Sequence, residues 1–342
     1  DSDLAAQMKR KLRWLEPRFK NITVFIDETR TASVACKRHT GPAIEYLPYE
    51  ATRDYLTSLE NQVIFVAGNK VLIDHFIALW GASRKNLMFW QISDLPLRGK
   101  RVLNPIISVA YFTLLFIINP FILVTSPKFM SWLPQRRPSL VVDNIPEIAL
   151  GSKLMSLQST CIQKSRPIRI GYPGNIRYFN QLKKLYDFTQ NYPGLVEIHL
   201  WGGPENAWHQ LCAFIGIDPL TQNQISYYGP YDLAKSGHEI YSAVDIVWAV
   251  YDNCQPNVKC ALPNRLYEAA LAGRWLLVSE GTHLGFTVQD LNIGHTIPLD
   301  ASFNSSLLKI LEDLTERTFP QDARNQIWNL TTEAEDRLLD FM

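Results

Sequence analysis

The chain has 342 residues, 46% hydrophobic, 11% aromatic and 20% charged, with 20 Pro and 17 Gly spread along its length. These proportions exclude a disordered, collagen-like or low-complexity protein and supply apolar mass for two ordinary cores. Lys plus Arg is 34 against 33 for Asp plus Glu, a formal charge of +1, which argues against a general nucleic-acid binder.

That balance conceals an asymmetry: residues 1–165 hold 21 basic and 13 acidic side chains, residues 166–342 hold 13 and 20. The halves read as two units with different neighbours, the basic one facing solvent, phosphates or an anionic membrane surface. Lys9, Arg10, Lys11 and Arg13, then Arg98, Lys100 and Arg101, then Arg136 and Arg137 form its basic clusters. The five cysteines include no C-x-x-C pair, which fits a reducing compartment and no structural metal. Asn21, Asn304 and Asn329 open N-x-[ST] triplets, too common by chance to establish secretion. No signal-peptide apolar core occurs in the first twenty residues.

In chain order, a basic amphipathic helix is expected over Leu4–Phe19, then strands Ile22–Ile26, Val63–Val66 and Leu87–Ile92, with helix Val71–Trp80 between the last two. Residues 102–124 carry no charge and are long enough to span a bilayer, but Asn104, Pro105, Asn119 and Pro120 interrupt them. They read better as a helix Pro105–Ile118, buried or touching a membrane surface, followed by strand Phe121–Thr125. Leu140–Val142 makes a further strand, and residues 151–166 an interdomain linker. The alternation predicts an α/β class with largely parallel sheets.

The second half restarts the rhythm: strands Ile168–Gly171, Val196–Trp201, Ile225–Tyr228, Ile246–Val250 and Trp275–Val278, separated by helices Phe179–Gln190, Glu205–Ile215, Asp232–Ser242 and Pro263–Leu271. Such a doubly wound sheet binds ligands beyond the carboxyl ends of its strands. A helix from Gln321 to Met342 closes the chain, placed to cross back to the first domain.

The segment Asn257–Gly273 carries the clearest chemistry. Pro263 suits a first helical position, so free amides near Asn264, with Arg265 beside them, make an anion site fit for a diphosphate. Glu268, three residues after Arg265, is placed to accept hydrogen bonds from ribose hydroxyls. Taken alone, the same spacing also describes a surface ion pair.

In family order, I-G-Y-P-G-N-I-R-Y (170–178), H-L-W-G-G (199–203), Y-Y-G-P-Y-D (227–232), I-Y-S-A-V-D-I (240–246) and P-N-R-L-Y-E-A (263–269) resemble the donor domain of GT-B nucleotide-sugar glycosyltransferases, particularly bacterial enzymes building exopolysaccharide, capsule or lipid-linked glycans. The resemblance covers about 167–298 well and the first domain weakly. It implies two Rossmann-like domains facing a cleft: 1–160 for the acceptor, 161–320 for the nucleotide sugar, and helix 321–342 returning to the first. Gly174 would lie in the phosphate loop, Arg177 and Arg265 on the diphosphate, with Asn264 at the helix start, Glu268 on the ribose and Tyr231 near the base. Thr282, in S-E-G-T-H-L-G (279–285), would approach the diphosphate or sugar. The bland alternatives are a solvated Arg177 and a packed turn aromatic at Tyr231.

One departure is plain: large retaining families carry a Glu eight residues before the second Glu, and that position is Cys260 here. If the enzyme inverts, Asp94 after the third expected strand, or Asp27 after the first, would serve as general base, although either could be a turn cap. The seven histidines lack ligand spacing and no internal D-x-D exists, which disfavours a metal-dependent enzyme. The expected protein is therefore a metal-independent glycosyltransferase using a UDP- or GDP-linked sugar and no separate cofactor. Its acceptor would be a glycan or lipid-linked glycan of bacterial surface polysaccharide synthesis, and its place the cytoplasm, free or peripheral on the inner face of the cell membrane. The rivals are a nucleotide-sugar epimerase and an inactive binding or scaffold protein of the same fold.

Overall fold

The computed structural model describes residues 22–26, 44–48, 52–67, 69–96, 104–133, 138–219 and 224–341. The chain separates into two compact units, Asp1–Asp143 with Glu335–Met342, and Asn144–Ala334. The division falls before the expected linker.

In the first unit, β1 (Ile22–Ile26) pairs in parallel with β2 (Ile44–Pro48). Helix α1 (Thr52–Ser58) leads to β3 (Val63–Ala67), and α2 (Asn69–Ser83) joins it to β4 (Leu87–Ile92). Helix α3 (Asn104–Ile118), β5 (Phe121–Val124) and β6 (Ser139–Val141) complete a parallel sheet of order β3-β4-β5-β6. Helices α2 and α3 make the crossovers from β3 to β4 and from β4 to β5, the usual connection of parallel strands, and a 3-10 helix, Pro127–Trp132, follows β5. Val63 pairs with Leu87 and Phe89 with Phe121, so β4 is covered on both sides and reads as a continuous apolar run.

Helix α3 packs on this sheet through Tyr111, whose hydroxyl oxygen accepts the Trp90 indole N–H at 3.0 Å, and through buried Leu115 and Ile118. Its opposite side is exposed and apolar. Among the described residues no helix is long and apolar enough to cross a membrane, because Asn119, at φ 58°, and Pro120 end α3. The expected helix Leu4–Phe19 and the three basic clusters lie outside the described residues.

The second unit begins with α4 (Ile148–Met155), which corrects the linker expectation over residues 151–155, while 156–166 form no helix or strand. Gly151 lies against Trp328, Thr331 and Leu271, so this helix is packed into the unit. There follow β7 (Ile168–Pro173), α5 (Phe179–Asn191), β8 (Val196–Trp201), α6 (Glu205–Ile215), β9 (Ile225–Tyr227), α7 (Leu233–Ser242) and β10 (Ile246–Ala249). The unit continues with α8 (Pro256–Cys260), α9 (Asn264–Leu271), β11 (Trp275–Ser279), α10 (His283–Asp290), β12 (Gly294–Ile297) and α11 (Phe303–Glu316). Helix α12 (Gln321–Phe341) is shared, its residues to Ala334 counting with this unit and those from Glu335 with the first. At its end Phe341 meets Phe89 and Phe121 edge-on.

The six strands are all parallel in the order β12-β11-β10-β7-β8-β9. That is the 3-2-1-4-5-6 order of dinucleotide-binding sheets, and the winding reverses between β7 and β10. Helices leave these two strands in opposite directions, opening a crevice at their carboxyl ends.

Candidate functional site

Three glycines build the floor of that crevice. Gly174, just beyond β7, has φ +127°, and its N–H donates to the Trp201 carbonyl at 2.9 Å. A Cβ on Gly174 would stand 2.4 Å from Arg265 Nη2. On Gly202, at φ +98°, it would stand 2.6 Å from the Gly174 carbonyl oxygen and 3.1 Å from Tyr231 Cε1. Gly202 in turn donates to the Gly229 carbonyl at 2.7 Å. The ends of β7, β8 and β9 thus touch backbone to backbone, a closeness only glycine allows.

Arg265 enters this floor from α9. Its guanidinium lies 3.9 Å from the Tyr172 ring centroid, and Nη1 donates to the Trp248 carbonyl at 3.4 Å and to Tyr251 Oη at 3.3 Å. Aromatic faces and neutral oxygens hold it, and among the described residues it forms no ion pair with a carboxylate. A half-buried cation so placed leaves its charge for a bound anion.

The helix start differs slightly from expectation. Pro263 is the N-cap, in extended conformation with ψ 159°, and Asn264 is the first helical residue. The free amides therefore begin at Asn264, beside Arg265. One turn further, Glu268 is buried at 4% exposure and accepts a hydrogen bond from the Tyr241 hydroxyl at 2.5 Å. Burial, and then the neighbouring Glu268 charge, push the Tyr241 hydroxyl well above its ordinary value, so it stays a donor. Glu268 and Arg265 do not form the alternative surface ion pair: one is buried under Tyr241, the other turned to Gly174.

Arg177 precedes α5 and is exposed, with no side-chain partner among the described residues. Its backbone N–H donates to Tyr172 Oη at 3.3 Å, while that hydroxyl donates to the Asn175 carbonyl at 2.9 Å, so Tyr172 ties down the loop under both arginines. Tyr178, left-handed at φ 59°, caps α5 and packs its ring 5.0 Å from Tyr251. A cavity of about 550 Å³ opens here, lined by Arg177, Tyr178, Gln181, Phe214, Asp252 and Gln255. Tyr231 borders a second cavity, of about 460 Å³, with Trp201, Tyr228, Asp232, Ser236 and Glu239.

Thr282, expected near the diphosphate or sugar, has its hydroxyl engaged within the chain. It is buried, caps α10 by accepting from the Gly285 N–H at 3.0 Å, and donates to the Ser279 carbonyl at 2.9 Å. Asp94 is exposed in the bend after β4, in the other unit. Asp27 lies outside the described residues.

A strongly perturbed carboxylate lies elsewhere. Asp245 receives Arg166 at 2.7 and 2.8 Å and Arg169 at 3.0 Å, at the amino ends of β7 and β10. Burial alone would raise its pKa, but the two guanidinium groups hold it well below the usual carboxylate range. This cluster ties the strands at the end away from the crevice. Sequence reasoning missed it, and also Tyr172, Tyr241 and Tyr251. Only the neighbouring motif residues marked them, since nothing in spacing tells a supporting tyrosine from a core one.

No family model matches the chain, and no curated protein is similar to it in sequence. Solved structures are similar. The crystal structure of Anabaena HepE in complex with UDP has a TM-score of 0.70 at 13% identity, covering 99% of this chain and 95% of its own. A glycosyltransferase from Rickettsia africae has a TM-score of 0.67 at 9% identity, covering 99% and 93%. The lipopolysaccharide outer core galactosyltransferase WaaB, in its apo form, has 0.64 at 12%, covering 99% and 94%. Two parallel sheets of four and six strands, the reversal between β7 and β10 and these matches agree that the chain has the GT-B fold found among glycosyltransferases.

Proposed function

We propose that the chain is a metal-independent glycosyltransferase that moves a sugar from a nucleotide donor, UDP- or GDP-linked, to a glycan or lipid-linked acceptor. The observation that carries this reading is Arg265, held by tyrosines against Gly174 where the sheet reverses, with buried Glu268 one turn further along the same helix. Arg265, Arg177 and the first amides of α9 would hold the diphosphate. As the glycosidic bond breaks, the leaving diphosphate gains charge, so preplaced cations favour the transition state over the bound donor. Glu268 accepts hydroxyl hydrogens, fitting a ribose, and the Tyr228–Tyr231 turn would take the base. Thr282 acts by capping α10 near the donor, its hydroxyl already engaged.

The acceptor is assigned to the first unit, where Asp94 is the candidate base for its hydroxyl proton. That HepE was solved with UDP and with UDP-glucose supports a nucleotide-sugar donor. A role in surface polysaccharide synthesis at the inner membrane face extends the same reading.

Purified protein is tested for binding of UDP and GDP by calorimetry, and for transfer or hydrolysis over a panel of nucleotide sugars, beside Glu268→Ala. Weaker nucleotide binding and lost turnover in Glu268→Ala support the assignment. Equal activity removes it. Binding without turnover on any donor favours the inactive-binder reading, for which Cys260 at the first glutamate position is the motive. A product changed in sugar configuration without any acceptor favours an epimerase.

A further inference from the structure

The cavity of about 550 Å³ at the start of α5 is not accounted for by the nucleotide reading. None of Gly174, Arg265 and Glu268 lines it. Tyr178 does, and its ring packs 5.0 Å from Tyr251, which holds Arg265, so this pair of rings stands between the cavity and the glycine floor of the crevice.

Gln181 is the side chain that points to a ligand. It lies in the first turn of α5 at 8% exposure, and its carboxamide has no hydrogen-bond partner among the described residues. A carboxamide carries two donor hydrogens and an acceptor oxygen, and leaving them unpaired away from bulk water costs stability. The surface it keeps opens on the cavity, so whatever pairs it enters there.

The other walls set the chemistry of that ligand. Arg177 is exposed and Asp252 half-buried, and both line the cavity without an ion pair between them. An anion would meet the Asp252 carboxylate and a cation the Arg177 guanidinium, whereas the hydroxyls of a neutral polyol both donate and accept. Asp252 is held in place: Oδ1 accepts the Cys254 N–H at 3.1 Å and Oδ2 accepts from Gln255 Nε2 at 3.1 Å, with lone pairs to spare on each oxygen. Asn180 adds a second carboxamide. Phe214 supplies an apolar wall, its ring 47% exposed and 5.8 Å from that of Phe179. A pyranose carries hydroxyls at its rim and C–H bonds on its faces, and such a face packs on the electron-rich face of an aromatic ring. Aromatic rings with a few convergent polar groups, in a cavity of this size, make a small-molecule site.

We infer that this cavity is a sugar subsite separate from the nucleotide crevice. Gln181, Asn180 and Asp252 hydrogen-bond the hydroxyls of one neutral hexopyranose unit while Phe214 takes its C–H face. The binding stands on these side chains; it rests on the transferase reading only for its purpose, which is to hold a sugar unit of the glycan acceptor.

The test is an NMR titration of the purified chain with the methyl glycosides of glucose, galactose, mannose and N-acetylglucosamine, with and without UDP, for the wild type, Gln181→Leu and Phe214→Ala. At least one glycoside is expected to bind the wild type, and to bind equally well with UDP present. Gln181→Leu and Phe214→Ala should each weaken it about 2- to 10-fold, the worth of one neutral hydrogen bond or a comparable ring contact, with calorimetric UDP affinity held within about twofold. Gln181→Leu should also unfold at the same or a higher urea concentration, because an unpaired carboxamide gives way to an apolar group of similar size. A lowered midpoint would show that the carboxamide serves the fold, and overturns the proposal. So do a wild type that binds none of the four glycosides and variants that bind as the wild type does. A glycoside displaced by UDP-glucose but not by UDP would make the cavity the seat of the donor's own hexose, which also overturns the separate subsite. Glycoside binding without UDP binding leaves the subsite standing and counts against the proposed activity, and UDP binding without glycoside binding does the reverse.

Discussion

Gly174→Ala puts the weight of the candidate site on one methyl group. The added Cβ would lie 2.4 Å from Arg265 Nη2, whereas ordinary contact begins near 3.4 Å, so the guanidinium must retreat by about one ångström. In retreating it gives up the Trp248 carbonyl and Tyr251 Oη and slides from the Tyr172 ring. A φ of +127° adds backbone strain on the order of 1–3 kcal/mol to any side chain there. A charge-assisted hydrogen bond to phosphate is worth about 1.5–3 kcal/mol, so UDP affinity should fall about 10- to 150-fold while uridine affinity holds within about threefold. Gly194→Ala is the control: φ is +80° but no atom lies within 4 Å of its Cβ, so it costs stability and spares nucleotide binding. Calorimetric titration of the three proteins with UDP and uridine measures this, with urea unfolding for stability. In an Arg265→Ala background Gly174→Ala should cost no further UDP affinity. If the methyl weakens uridine as much as UDP, or acts additively with Arg265→Ala, Arg265 is not the group it displaces and the diphosphate assignment fails.

Arg177→Ala should leave stability within about 0.5 kcal/mol, the side chain being exposed and without a side-chain partner among the described residues, and weaken UDP about tenfold or more with uridine unchanged. An unfolding midpoint that moves would show a structural role instead. Tyr241→Phe removes the donor to buried Glu268 and should cost about 1–3 kcal/mol in urea unfolding, with weaker binding of UDP but little change for dideoxy-UDP. Thr282→Val should cost about 0.5–2 kcal/mol through the lost cap, Thr282→Ser far less, and the pair should differ little in UDP affinity. A large affinity loss in Thr282→Ser would reopen a direct role. Asp245→Asn should destabilise by about 3 kcal/mol at neutral pH, the lower end for a broken buried pair because both arginines stay partly exposed. The folded-state pKa of Asp245 lies below its unfolded value of about 3.9. Its contribution is therefore present above pH ~4 and lost as pH falls further toward the folded value. Stability of wild type and Asp245→Asn should converge in that acid window, and parallel curves from pH 7 to pH 2 would contradict the ion-pair account.

What could be read from the sequence follows what is local. Strands such as Val196–Trp201 and Ile246–Ala249 are short apolar runs, and the crossovers between them are helices of helical period, so a parallel α/β sheet follows from pattern alone. Strand β12 and helix α10 carry a weaker pattern. Gly294 and His295 dilute the strand, and His283–Asp290 is only eight residues long. Residues 151–166 read as a linker for the same reason. Gly151 and Ser152 look like breakers until Trp328 and Thr331, far along the chain, are seen to pack on Gly151.

The site divides along the same line. Arg265 and Glu268 were legible because a proline-opened helix presents its first-turn residues in one direction, a property of four consecutive positions. Their separate destinations were not, because those are set by residues from other strands. Tyr172 on β7 and Tyr251 after β10 receive Arg265, and Tyr241 on α7 receives Glu268. Those tyrosines could be exchanged for phenylalanine without altering any pattern of hydrophobic period, yet one would lose a hydroxyl on Arg265 and another the proton held by Glu268. The proposed phosphate recognition thus resides in the helix that opens at Asn264, while the geometry of Arg265 is set by hydroxyls that only the reversal of the sheet between β7 and β10 brings to it. Tyr251→Phe separates the two: it keeps the ring near Arg265 and removes the Oη acceptor 3.3 Å from Nη1, so UDP affinity should drop about 3- to 10-fold with the base-and-ribose part of binding untouched. Unchanged UDP affinity in Tyr251→Phe would leave the Tyr172 ring and the Trp248 carbonyl as the supports of that cation.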